Sequence, residues 1–329
     1  MRVLRRTFLR GRRLSAPFSS SATAAPRPND YGWNPRPNDY GWNPKTNPEP
    51  CGAPFLHQTS VAWPGGATSS ELGPWLNHTD QSLDDVAAHF AAHGFAVVRQ
   101  IASPEELDVY RNMHDDMQSG ALATPGRHDL GSHGGAREDG RENVGQIMWP
   151  SDLVKGSRNG PLHARAFGLS KALLGKDMAF DFDMLIFKDA NTETETPWHQ
   201  DEAYWPAGMV DKRAITVWTA LDAATKENGC MWYIRGSHEG ALLDHRPAAE
   251  GAHILQTDSL TEDTPGAECV ELDAGDAVLW HGRTAHYSRG NSTGAPRRTF
   301  IVNYRPESMV QFERDNGFDH LRRGWASEK

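Results

Sequence analysis

Nowhere in the 329-residue chain is there an apolar run of about eighteen residues, so no segment reads as a membrane-spanning helix. Cysteine is scarce. Cys51, Cys230 and Cys269 are an odd number without a C-x-x-C pair, which argues against a disulfide scaffold or a structural zinc site and points to a reducing compartment. Acidic residues are missing from the first 26 positions, where six arginines stand, so the remainder carries 28 basic against 43 acidic residues. That acidic body argues against nucleic acid as a partner, because phosphate contacts need clustered Lys and Arg.

What is present begins with that leader. Residues 1–26 are Arg-rich, Ser-rich and acid-free, the composition of an organelle transit peptide, and the expected destination is the mitochondrial matrix, with plastid or cytoplasm as alternatives. A nonapeptide, RPNDYGWNP, follows twice between Arg27 and Pro44. Two such short copies cannot stack as a solenoid, so residues 27–60 read as a linker and residues 61–329 as one domain.

Within that domain, Ser82 and Ser103-Pro104-Glu105-Glu106 mark two helix N-termini that flank a strand, HGFAVVRQI. Ser119 to Gly145 is rich in Gly, His and charge and reads as a long loop, with His128 and His133 in solvent. From Met178 the pattern turns to short strands: MAFDFDMLIFK, AITVWTALDA, CMWYI, ECVEL, DAVLWH and TFIVNY. Asn228-Gly229, between the second and third of these, signals a hairpin. The segment from Ser237 to Gly275 reads as an insertion over the mouth of a barrel, with His238, His245 and His253 on the surface. The fold class is mainly β with flanking helices around a double-stranded β-helix, a jelly-roll, cupin-like core.

The chemistry concentrates in PWHQDEAYWP and GDAVLWHGRTAHYSRGNSTGAPRR. His199 and Asp201, two apart, share a face if extended, and with His286 they form the two-imidazole, one-carboxylate set that holds non-haem iron with open positions. His281 competes with His286, but residues five apart on a strand point oppositely. Arg297, eleven residues after His286, suits a carboxylate as a bidentate partner, from a strand expected to run beside that of His286. Arg298 is its rival, and neighbours on a strand face opposite ways. A 2-oxo acid with a second carboxylate would chelate the metal and be gripped by Arg297.

From about Ser82 to Pro306 the chain resembles the phytanoyl-CoA dioxygenase family of Fe(II)- and 2-oxoglutarate-dependent oxygenases. The resemblance lies in HGFAVVRQIASPEEL, MLIFK, PWHQDEAYWP, VWTALD, NGCMWYIRGSH and GDAVLWHGRTAH. It implies iron on His199, Asp201 and His286, 2-oxoglutarate on Arg297, and Ser288, Trp218 and Met184 beside the same co-substrate. O2 completes the cofactor set, with ascorbate as an optional addition. Where the family reads H-G-S-G-x-N, this chain reads His286-Tyr287-Ser288-Arg289-Gly290-Asn291, so Tyr287 and Arg289 are expected to add bulk and charge near the site. With Tyr204 and Trp205 they make up the expected substrate pocket.

The expected function is hydroxylation of a small organic molecule with succinate and CO2 as co-products. Asp201 argues against halogenation, which needs that coordination position for chloride. Two rivals remain: a cupin-type metal enzyme that does not use 2-oxoglutarate, and a silent family member that binds metal or 2-oxoglutarate without turnover.

Overall fold

The computed structural model describes residues 59–63, 81–130, 142–249 and 254–320. The Arg-rich leader, the tandem repeat, Cys51, His133 and His253 lie outside the described residues.

Two helices begin where their caps predict. In α1 (Leu83–His93) the Ser82 hydroxyl accepts the Asp85 N–H, and Gly94, at φ 80°, ends the helix in a left-handed turn that favours glycine. In α2 (Pro104–Gln118) Ser103 and Glu106 cap each other reciprocally behind Pro104. Strand β1 (Phe95–Val98) lies between them. The sequence reading passed over α3 (Pro161–Leu174), whose buried face includes His163 and Ser170 and so blurs its apolar period. A last helix, α4 (Glu307–Asp315), closes the described chain.

The other strands of the two main sheets are β2 (Arg127–Asp129), β3 (Val144–Met148), β4 (Met178–Lys188), β5 (Thr196–His199) and β6 (Ile215–Ala220). After them come β7 (Met231–Ile234), β8 (Ala267–Val270), β9 (Ala277–His281), β10 (His286–Ser288) and β11 (Arg297–Pro306). A seven-stranded sheet runs β1-β9-β6-β11-β4-β3-β2 and a four-stranded sheet runs β8-β7-β10-β5. All pairs within both are antiparallel. This is a jelly roll, mainly β with helices on one side.

Alternation along the central strands builds two cores. Leu185, Val217, Leu279, Phe300 and Val302 pack outward against Phe90, Leu107, Tyr110, Met113 and Leu162 of the helices. Their neighbours Met184, Trp218, Val278, Trp280 and Ile301 point inward and meet Met231, Tyr233 and Val270 of the small sheet. The inner layer carries the site.

Three expectations are corrected. Asn228-Gly229 does not make a hairpin: β6 pairs with β9 and β11, whereas β7 pairs with β8 and β10, so this turn carries the chain from one sheet to the other. Gly229, at φ 86°, makes the crossing. The long loop after α2 contains β2, which adds an edge to the large sheet through β3. Finally, β11 does not lie beside β10; it sits between β4 and β6 in the facing sheet. Arg297 therefore approaches from the opposite wall.

Candidate metal and co-substrate site

Strands β5 and β10 pair with His199 directly opposite His286, and the two imidazole centres are 4.2 Å apart. Each ring donates Nδ1–H to a carbonyl two residues earlier, His199 to Pro197 at 2.7 Å and His286 to Thr284 at 2.9 Å. Those bonds orient both Nε2 lone pairs toward the same point. The strand ends at His199, and Asp201 opens a single 3₁₀ turn, Asp201–Tyr204, so turn geometry rather than strand pleat brings it round. Its Oδ1 stands 3.7 Å from His199 Nε2 and 3.5 Å from His286 Nε2. Burial, and then the neighbouring His286, push His199 down to about 3, which keeps the ring neutral with its Nε2 lone pair available.

Asp201 is held from its other side. Burial alone would raise its carboxyl, but both imidazoles and two donors on Oδ2 hold it below the usual range: Trp280 Nε1–H at 2.9 Å and Thr216 Oγ–H at 3.1 Å. Thr216 Oγ also lies 2.7 Å from Asn303 Oδ1, while Asn303 Nδ2 is buried without a partner. A hydroxyl has one hydrogen, so both contacts are satisfied when the Asn303 amide is turned to donate Nδ2–H to Thr216. The result is a chain from Asn303 through Thr216 to Asp201 that leaves Oδ1 free.

Across the interior, Arg297 is 1% exposed, with its guanidinium 5.1 Å over the Trp218 ring. Its Nε and Nη1 are buried without a hydrogen-bond partner, as is Tyr233 Oη. Burial lowers Arg297 to about 10, still a cation at neutral pH. Its rival Arg298 points outward and is claimed by Asp222 and Asp115. His281 likewise stays away from the triad, accepting the Arg283 N–H at 3.1 Å. Met184 lies in register with Ile301 on the inner layer and accepts the Gln146 amide. Ser288 donates Oγ–H to the Gly229 carbonyl at 2.8 Å and is 1% exposed.

The expected substrate residues fare differently. Tyr204 sits edge-on to His199 at 5.8 Å, and its hydroxyl accepts the Leu255 N–H. Trp205 packs with Met209, Ala214 and Met309, below the Arg305 guanidinium. Tyr287 and Arg289 do not crowd the site: His286 and Ser288 point inward, so the odd-numbered residues point out. Tyr287 stacks on Trp198 and donates to Glu195, and Arg289 lies over Trp232 and pairs with Glu262. His245, expected at the surface, is 4% exposed and accepts the Gln200 N–H at 3.0 Å. It ties the insertion to the turn that carries Asp201.

Thr216, Trp280, Asn303 and Tyr233 were missed in sequence, because inward polar residues on a strand look like ordinary alternation. A second His–carboxylate group, Asp181, Glu313 and His320, is already neutralised by Arg305 and Arg314 and reads as an ion-pair network binding α4 to the large sheet.

Residues 90–299 match the phytanoyl-CoA dioxygenase (PhyH) family. The chain belongs to that family. This PhyH chain is 31% identical to EvdO2 of Micromonospora carbonacea, solved with 2-oxoglutarate, at a TM-score of 0.55, covering 67% of this chain and 89% of that one. A probable phytanoyl-CoA dioxygenase of Caenorhabditis elegans is 32% identical over 35% of this chain and 38% of its own length. A probable alpha-ketoglutarate-dependent hypophosphite dioxygenase of Stutzerimonas stutzeri is 29% identical over 41% of this chain and 48% of its own. The PhyH chain thus spans about half or less of the length of these curated relatives.

Proposed function

We propose that the chain is an Fe(II)- and 2-oxoglutarate-dependent oxygenase that hydroxylates a small organic molecule and releases succinate and CO2. The observation that carries this reading is Arg297, a buried cation with two unpartnered N–H groups on the wall facing the His199–Asp201–His286 cluster. A buried guanidinium without a carboxylate is costly and asks for an anionic ligand. A metal enzyme that used no carboxylate co-substrate would have no need of it.

The donor set fits the iron. Two neutral imidazoles and one carboxylate oxygen suit a divalent first-row ion, and three protein ligands leave positions open. When bound, iron supplies the means to activate O2 and to oxidise co-substrate and substrate together. The chain's own residues bind, orient and exclude. His199, Asp201 and His286 would hold the metal, with Pro197, Thr284, Trp280 and Thr216 fixing the ligand atoms. Arg297 would take the distal carboxylate of 2-oxoglutarate in a bidentate grip, with Trp218, Tyr233, Met184 and Ser288 around it. The inner apolar layer keeps water from that end. Asp201, whose side chain is 27% exposed, marks the open side where a substrate would enter.

The test is the visible absorption of anaerobic Fe(II)-loaded protein during a 2-oxoglutarate titration. A charge-transfer band in wild type that needs far more 2-oxoglutarate in Arg297→Ala supports the reading; no band in folded, iron-loaded protein overturns it. Slow succinate formation without a prime substrate would set the chain apart from a silent family member. The six arginines and absent acids of residues 1–26 support the mitochondrial matrix as the site of action. A reporter fused behind residues 1–60 should co-fractionate with mitochondria, and a cytosolic or plastid reporter would refute that placement.

A further inference from the structure

The sequence treats its cysteines as unrelated, because Cys230 and Cys269 are 39 residues apart. The fold brings them together. Strand β8 pairs with β7 so that Cys269 stands opposite Trp232, and Cys230 immediately precedes β7. Their sulfurs are 3.1 Å apart, about 1 Å beyond the bond length of a disulfide. Both are free thiols. We propose that Cys230 and Cys269 are a thiol–disulfide site in the wall of the Arg297 pocket, closed by exchange with a low-molecular-weight disulfide such as oxidised glutathione.

The two sulfurs are not equivalent. Cys269 is half-buried, whereas Cys230 is 1% exposed, so the outside reaches Cys269 first. The contact with the Cys230 thiol holds Cys269 below its ordinary range; burial and Glu271 oppose this, and the cations Lys226 and Arg289 assist. Cys230 is pushed the other way, by that same contact and by burial. The Cys269 thiolate attacks one sulfur of the small disulfide, forming a mixed disulfide and expelling one thiolate. Cys230 then loses its proton to that thiolate or to solvent and attacks the Cys269 sulfur, expelling the second. The protein dithiol is oxidised by two electrons and one disulfide is reduced to two thiols.

Closure reaches the co-substrate site through Cys230. This residue packs in the cluster that contains Trp218 and Tyr233, and Trp218 lies under the Arg297 guanidinium. The preceding carbonyl, of Gly229, receives the Ser288 hydroxyl. Drawing the Cys230 sulfur toward β8 pulls on the residues beside Arg297, and the bonded state binds 2-oxoglutarate more weakly. This last step rests on the function proposed above; the bond itself does not.

The test uses the full chain carrying Cys51→Ser, equilibrated in glutathione buffers from reducing to oxidising. Remaining thiols are blocked, peptides are read by mass spectrometry, and 2-oxoglutarate affinity is measured by calorimetry on Mn(II)-loaded protein in each state. The expected result is a Cys230–Cys269 cross-linked peptide pair and an affinity lower by about fivefold or more in the oxidised state. A chain that also carries Cys269→Ser should keep its affinity in every buffer. Free thiols or persistent mixed disulfides across the whole range would overturn the site. A cross-link with unchanged affinity would overturn its coupling to Arg297. If the reduced protein bound no 2-oxoglutarate, the proposed function would fall, while the peptide map would still decide the bond.

Discussion

Arg297 and Lys188 stand directly opposite each other on β11 and β4, both essentially fully buried, and neither forms an ion pair with a described carboxylate. Lys188 is satisfied by carbonyls alone, those of Ser288 at 3.1 Å, Thr194 at 3.3 Å and Arg289. Burial, and then Arg297, lower it well below its usual range. Two basic side chains side by side without a counter-ion leave that end of the interior short of negative charge, and only Lys188 has its hydrogen bonds supplied by the protein.

Removing Arg297 should therefore separate stability from binding. Arg297→Leu fills similar space without a buried charge, so the ligand-free protein should gain about 1–2 kcal/mol in chemical denaturation. The same change should abolish measurable 2-oxoglutarate binding by calorimetry. A destabilised ligand-free variant would mean that Arg297 has a structural partner.

Thr216→Val removes the hydroxyl that bridges Asn303 and Asp201 while keeping the volume. Loss of such support to a metal ligand should weaken Fe(II) or Co(II) affinity by roughly 10–100-fold. Thr216→Ser should restore it. Equal metal affinity in all three proteins would show that Trp280 alone orients the carboxylate.

Gly229→Ala places a methyl group 2.5 Å from the Arg289 carbonyl and 3.2 Å from Lys188, at a φ of 86°. The backbone strain alone should cost about 1–3 kcal/mol. Denaturation midpoints would register it, with further loss because the carbonyl that Lys188 grips must shift. A neutral result would show that the sheet crossing adapts.

Acid should destabilise the protein through His114, which is fully buried on α2 and pushed by burial from 6.5 to about 4. Its neutral form is favoured in the folded state, so this contribution is complete above pH 6.5 and is lost as pH falls toward 4. At full extent the loss is about 3 kcal/mol. Denaturation of wild type and His114→Leu between pH 7 and pH 4 should show a shallower decline in the variant; parallel curves would remove His114 as a source. His199 and His281 shift in the same direction and will add to the wild-type slope.

Much of the fold was legible wherever a signal is local. Ser82 and Ser103 start helices because a side chain can satisfy N–H groups within one turn of itself. Val217-Trp218 and Ile301-Val302 announce strands because successive residues must face opposite sides. The same rule, applied one residue at a time, would have set Tyr287 and Arg289 on the outer face. Their proximity in sequence to His286 was mistaken for proximity in space. Asn228-Gly229 misled for a related reason: a turn dipeptide states that the chain reverses, not which strands will pair.

By itself the sequence determined which side chains could bind a metal and an anion, since His, Asp and Arg have the necessary lone pairs and donors wherever they stand. It also determined the pattern of helices and strands that carries them. Only tertiary structure decided that His199 pairs across to His286, that Arg297 reaches the interior from the opposite sheet, and that His245 is buried against the turn that carries Asp201. It alone joined Thr216, Trp280 and Asn303 around Asp201 and put Cys230 against Cys269. Such contacts depend on strand pairing between distant segments, and that pairing is selected by the summed burial of two apolar layers, which no short stretch of chain encodes.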